Sequence, residues 1–139
     1  HERYKKERAR YLLKGGYQTL GWGPDPADPA DVMGPIMVHG SVASEVAIYP
    51  DFMSYKRGVY FVAKGEPEHA QAVKIVGWGS HPGECAWQDA DDVVWHDGAG
   101  ACEFWIVMAS HGKAFGDKGF FSVRRGDALV GDSAVYATP

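Results

Sequence analysis

The sequence lacks an apolar run of about 18 residues, which excludes a membrane-spanning helix of ordinary length. It shows no signal peptide, and it opens on His1 rather than methionine, so the expectation is a processed product or part of one. It lacks a strong charge of one sign: 14 basic residues stand against 18 acidic ones, for a net charge of −4. That balance speaks against a general nucleic-acid binder, and the composition is not that of a disordered chain. It also lacks internal repeats and low-complexity tracts. There are only two cysteines, Cys85 and Cys102.

The 139 residues are 45% hydrophobic and 13% aromatic, enough for one compact domain around a single core. Charge is unevenly placed. Arg3, Lys5, Lys6, Arg8, Arg10 and Lys14 are set against Glu2 and Glu7, so the first 14 residues are basic and the rest acidic. Such a segment is ordinarily a solvated face, and docking to an anionic partner or membrane surface is the minority reading. The cysteines flank one polar stretch; a disulfide closing that loop and a pair of buried free thiols both fit the spacing.

Good helix formers over 2–14, stopped by Gly15-Gly16, predict a short helix. Residues 23–31 carry three prolines in an acidic stretch and read as irregular. From residue 36 to 49 the pattern turns to strand. A turn at Tyr49–Phe52 with one helical turn over 52–55, a strand over 58–63 and a strongly apolar strand from Ala70 to Gly77 follow. Residues 80–101 read as a long loop. Strands are predicted over 103–109, 119–124 and 133–136. The expectation is a small antiparallel barrel or sandwich.

Three segments are distinctive together. One is Gly34-Pro35-Ile36 followed by Tyr49-Pro50-Asp51-Phe52-Met53-Ser54-Tyr55-Lys56-Arg57-Gly58-Val59-Tyr60. Another is Gln71-Ala72-Val73-Lys74-Ile75-Val76-Gly77-Trp78-Gly79. The last holds Phe104-Trp105-Ile106-Val107, Ala109-Ser110-His111-Gly112, Phe115-Gly116, Gly119-Phe120-Phe121 and Arg125-Gly126. In this order they resemble the second domain of papain-family cysteine peptidases, most closely the cathepsin B-like branch, from about residue 33 to 136. The resemblance implies an α+β papain-like fold. Residues 1–32 would form an N-terminal helix and a Pro/Asp-rich loop, and 33–139 the C-terminal, antiparallel β-barrel-like domain. It also implies a secretory or endolysosomal route and a first domain, elsewhere, that carries the cysteine nucleophile. Nothing in this chain resembles that domain's Gln…Cys-Gly-Ser-Cys-Trp segment.

The departures decide the expected function. The family histidine of Gly-Gly-His-Ala-Val falls on Gln71, with His69 and Ala70 in place of the glycines. The imidazole keeps the sulfur as thiolate and protonates the leaving amine; a glutamine amide exchanges no proton near neutral pH. The asparagine of Asn-Ser-Trp-Gly falls on Ala109, and His111 replaces the tryptophan. The Cys-Gly-Ile-Glu segment reads Val130-Gly131-Asp132-Ser133, so Ser133 stands where the resemblance places a specificity-pocket glutamate. The missing half-cystine at Val130 weakens the secretory inference.

Among single residues, His69 and His111 are the candidates for a displaced base. About 6.5–7 Å of strand separates residues 69 and 71, so an ordinary loop histidine is the stronger reading of His69, and a space-filling one of His111. Ser110 lacks any recognisable base. His81, His96, Cys85 and Cys102 match no tight zinc motif. Asp89, Asp91, Asp92 and Asp97 lack the glycine and terminal glutamate of a calcium loop and read as a solvated patch. Trp87 and Trp95 are candidates for burial or for partner contact. No cofactor and no metal are implied. The leading expectation is an inactive, cathepsin B-like pseudo-peptidase serving as a binding or structural subunit. Its partners would be a first-domain chain from the same precursor or unrelated subunits of a larger assembly. The alternatives are the heavy chain of a two-chain enzyme and a peptide-capturing decoy.

Overall fold

The computed structural model describes residues 17–21, 26–109 and 119–137. The helix predicted over 2–14, and Ser110 and His111, lie outside the described residues. Among the described residues nine strands form one sheet: β1 (Tyr17–Leu20), β2 (Val42–Ile48), β3 (Tyr55–Tyr60), β4 (His69–Pro82), β5 (Ala86–Asp89), β6 (Val94–His96), β7 (Ala101–Ala109), β8 (Phe120–Arg124) and β9 (Ala134–Ala137). Their order is β1-β9-β2-β4-β7-β8-β3-β5-β6. The barrel expectation is corrected: the sheet is open, with β1 and β6 at its ends. It is antiparallel except where β3 runs parallel to β8.

The largest departure from the sequence reading is helix α1, Pro29–His39. Residues 29–31 were expected to be irregular, 36–49 to be strand, and Gly34-Pro35-Ile36 lies inside the helix. The start is nonetheless well specified. The Asp28 carboxylate accepts the Ala30 N–H at 2.9 Å, and Pro29 sits where a missing N–H costs nothing. Pro35, inside the helix, forfeits the bond back to Asp31 and sets its ring against that carbonyl. Gly40, at φ 88°, closes the helix by donating to the Ile36 carbonyl at 2.8 Å. Val32 and Ile36, four residues apart, bury one stripe. The division anticipated between residues 32 and 33 falls within α1, and β1 pairs with β9.

The core gathers Val42, Val46 and Ile48 of β2, Val73 and Ile75 of β4, Trp105 and Val107 of β7, and Phe121 and Val123 of β8. Each such side chain, fully buried, contributes roughly 1.5–3 kcal/mol. A 3-10 turn, Pro50–Ser54, places the buried Asp51 carboxylate against the Tyr60 hydroxyl (2.5 Å) and the Ala63 N–H (2.8 Å). Burial, then that carboxylate, hold the Tyr60 hydroxyl far above its ordinary pKa. The Gly77-Trp78-Gly79 motif was expected to end its strand. Instead β4 continues through it to Pro82, past a register shift between Ile75 and Gly77. A Cβ on Gly79 would lie 2.5 Å from the Phe104 ring. The glycine is what lets that ring lie across the sheet.

Residues 80–101 are not a loop. They hold the end of β4 and a hairpin, β5–β6, that adds two strands beyond β3. Of the two readings of the cysteines, the disulfide holds: Cys85 and Cys102, both buried, are bonded and pin the hairpin's base to β7.

Candidate functional site

Strands β2, β4 and β7 lie side by side, and their register sets the site. Val46 faces Gln71 across β2 and β4, and Val73 faces Ala109 across β4 and β7. Because side chains alternate along a strand, Gln71 shares a face with Val73 and is therefore a diagonal neighbour of Ala109. The two positions singled out in the sequence are brought together. They line a cavity of about 200 Å³ with Val46, Ile48, Phe52, Met53, Val73 and Phe121. Among the described residues, Gln71 supplies its one polar side chain. The strand alternation of Val46 and Ile48 was the signal for this wall, but Phe52 and Met53 reach it from the 3-10 turn, which the strand pattern does not reveal.

At the rim, the Nε2 atoms of Gln71 and His69 are 3.1 Å apart. An amide nitrogen donates, so the contact is a hydrogen bond in which the imidazole Nε2 accepts. Two residues of strand are bridged here by two side chains reaching toward each other, a contact that the backbone spacing alone did not suggest. The site can hold an apolar group and offer hydrogen bonds. Neither Gln71 nor Ala109 can move a proton; among the described residues, the exposed His69 is the titratable side chain hydrogen-bonded to Gln71. Ser133 does not line this cavity; its carbonyl accepts the Ser44 hydroxyl at 2.8 Å.

The hairpin corrects several expectations. Trp87 is 1% exposed and donates to the Phe61 carbonyl at 3.1 Å, so it is a core residue rather than a partner contact. Trp95 is half-buried, stacked on Trp87 at 5.9 Å. The acidic residues are not a uniform solvated patch. Asp91 and Asp92 are exposed, but Asp89 is buried and accepts the Asp91 N–H, the Val93 N–H and Trp95 Nε1 at 2.9, 3.0 and 3.1 Å. Burial opposes its charge, yet these donors and the nearby Lys64 outweigh it and hold the carboxyl below its usual range. Asp97, whose side chain is 3% exposed, is likewise held low, by the Ala99 N–H first, against burial, with Arg124 and the Cys85 N–H adding to it. The zinc reading fails because both thiols are spent on each other and His96 pairs with Glu84 at 2.8 Å. Among the described residues no three His, Cys, Asp or Glu side chains come together to hold a metal, and no helix is long and apolar enough to cross a membrane.

Comparison with known proteins follows the same outline. The family profile described as papain family cysteine protease matches residues 3–138. A gut-specific cysteine proteinase of Caenorhabditis elegans is 33% identical over 113 residues, covering 81% of this chain and 29% of that protein. Cathepsin B-like cysteine proteinase 3 of the same organism is 35% identical over 88 residues (63% and 19%). Cathepsin B-like protease 1 of Arabidopsis thaliana is 31% identical over 99 residues (71% and 22%). This chain thus spans less than a third of each relative's length. Among solved structures, proCathepsin B S9 from Trypanosoma congolense superposes with a TM-score of 0.63 at 22% identity, over 88% of this chain and 35% of that one. At that identity the likeness is one of fold.

Proposed function

This chain belongs to the papain family of cysteine proteases, and on that premise we propose that it is a catalytically silent, cathepsin B-like second domain that works as a binding or structural unit. One observation carries the reading: Gln71 and Ala109 meet on one face and line an apolar cavity, where neither can exchange a proton. The family chemistry needs an imidazole beside the thiolate. In a comparable triad, loss of the base alone costs on the order of a million-fold in turnover. Both cysteines of this chain are bonded to each other, so it offers no thiol of its own. The disulfide supports an oxidising, secretory-type compartment.

The second reading, a heavy chain whose cysteine lies on another polypeptide, draws support from His69, which stands within hydrogen-bond reach of Gln71. The two are separated by purifying the chain natively with whatever stays bound. The sample is then assayed with a fluorogenic peptide and a thiol-directed epoxide. A silent unit gives no turnover and no labelled companion. Turnover that disappears on His69→Ala, with a labelled companion chain, overturns the proposal in favour of the two-chain enzyme.

A further inference from the structure

Among the described residues the hairpin's outer strand ends the sheet, and its pattern of outward-facing backbone groups is self-complementary. Two backbone hydrogen bonds fix the alternation. Asp89 N–H donates to the Val93 carbonyl, and Asp97 N–H to the Cys85 carbonyl. Trp87 and Trp95 are opposite each other between these two pairs. In an antiparallel ladder, residues alternate between facing the partner strand and facing away. The N–H and C=O groups of Val94 and His96 therefore point out of the sheet, symmetrically about Trp95. Val93 and Val94 stay 48% and 47% exposed beside them.

We propose that this edge pairs with the same edge of a second copy of the chain, antiparallel, about a two-fold axis at Trp95. In that register Val94 lies opposite the partner's His96, and His96 opposite the partner's Val94. Each of the two pairs exchanges both of its bonds, and the geometry is isologous, as a two-fold requires. The charges sort the same way. Asp92 and its symmetry mate fall six residues apart, about 20 Å at ~3.4 Å per residue, beyond the ~8 Å screening length at physiological salt. A parallel pairing would instead set the two acidic tips about 5 Å apart. Asp91 and Asp92 come opposite the partner's Ala99 and Gly98, and a Cβ built on Gly98 or Gly100 has nothing within 4 Å. The edge is also preorganised: the disulfide holds its base, the three bonds to Asp89 hold its tip, and Lys56 pairs with Asp92 at 2.9 Å. Little ordering cost opposes association. Three-residue edges make a small interface, so the pairing belongs to the weak, reversible class. It does not depend on whether the cleft is active, since β6 lies five strands from β4, about 24 Å at ~4.8 Å per strand.

The test is sedimentation velocity of the full chain across a concentration series into the millimolar range, for wild type and Val94→Pro. Proline at 94 removes an N–H that the hairpin does not use, so it blocks the edge without unpairing β5. The expected result is concentration-dependent dimer in wild type, weakened at least about tenfold in the variant. A monomer throughout the series, or association indifferent to Val94→Pro, overturns the proposal. Should the variant fail to fold, amide exchange in wild type decides: the Val94 and His96 amides gain protection with concentration if the edge pairs, and unchanged exchange refutes it.

Discussion

Substituting Gly58 by alanine tests the placement of the hairpin, because two separate penalties converge at that residue. Gly58 has φ 101°, a conformation that costs a residue with a Cβ about 1–3 kcal/mol. The added Cβ would stand 2.5 Å from the Ala86 carbonyl oxygen and 2.8 Å from Trp87 Cα. Both are backbone atoms of β5, so no side chain can swing away. The strand must retreat by something near 1 Å, and forced displacement of packed structure costs about 1–3 kcal/mol. The combined expectation is a loss of about 4 kcal/mol. Urea unfolding followed by far-UV circular dichroism measures it. Tryptophan emission gives a second readout, since retreat of β5 admits water to Trp87, now 1% exposed. Gly98→Ala is the control. Its φ is 72°, but its Cβ meets nothing within 4 Å, so it carries strain alone, at most about 1–3 kcal/mol. A Gly58→Ala variant that loses less than about 1 kcal/mol, or no more than Gly98→Ala, refutes the packing of β5 on β3.

Two further outcomes follow from the same hairpin. Asp89 and Asp97 have folded-state pKa values below their unfolded ones, so the unfolded chain binds more protons in acid. Their contribution is present above about pH 4 and is lost as pH falls through the depressed values; in Asp89→Asn and Asp97→Asn the drop in urea midpoint between neutral pH and about pH 3 shrinks, and an unchanged drop contradicts the assigned partners. Removing the Cys85–Cys102 bond, which closes a loop of sequence separation 17, is expected to cost about 3 kcal/mol in the double alanine variant, read as a midpoint shift against wild type. A shift near zero indicates a hairpin held by Trp87 and Asp89 without the bond.

The strands were legible where one face is buried. The alternation of Val73 and Ile75, and of Trp105 and Val107, follows the burial closely. What misled was punctuation. Pro29 read as a breaker, although Asp28 before it is an N-cap followed by a first-turn proline, a start signal rather than a stop. Gly77 and Gly79 read as a strand end, although their role is to leave room for Ile106 and Phe104 on the neighbouring strand. In both places a residue that weakens one local pattern serves another whose partner lies elsewhere in the chain.

The site shows the same division between what spacing carries and what it does not. Motif landmarks place Gln71 and Ala109 by counting, and pairing of β4 with β7 brings them to one face, so their proximity was implicit in the sequence. The contact between His69 and Gln71 was not. It depends on side-chain torsions that shorten a strand spacing of about 7 Å to a hydrogen bond. That contact bears on the chemistry in a definite way. While Gln71 donates to the ring, the lone pair that His69 would use as a base is occupied, so its recruitment to proton transfer requires breaking this bond first. A histidine in reach is therefore a weaker argument for activity than its distance suggests, and under the proposed reading the glutamine itself helps to keep the site silent.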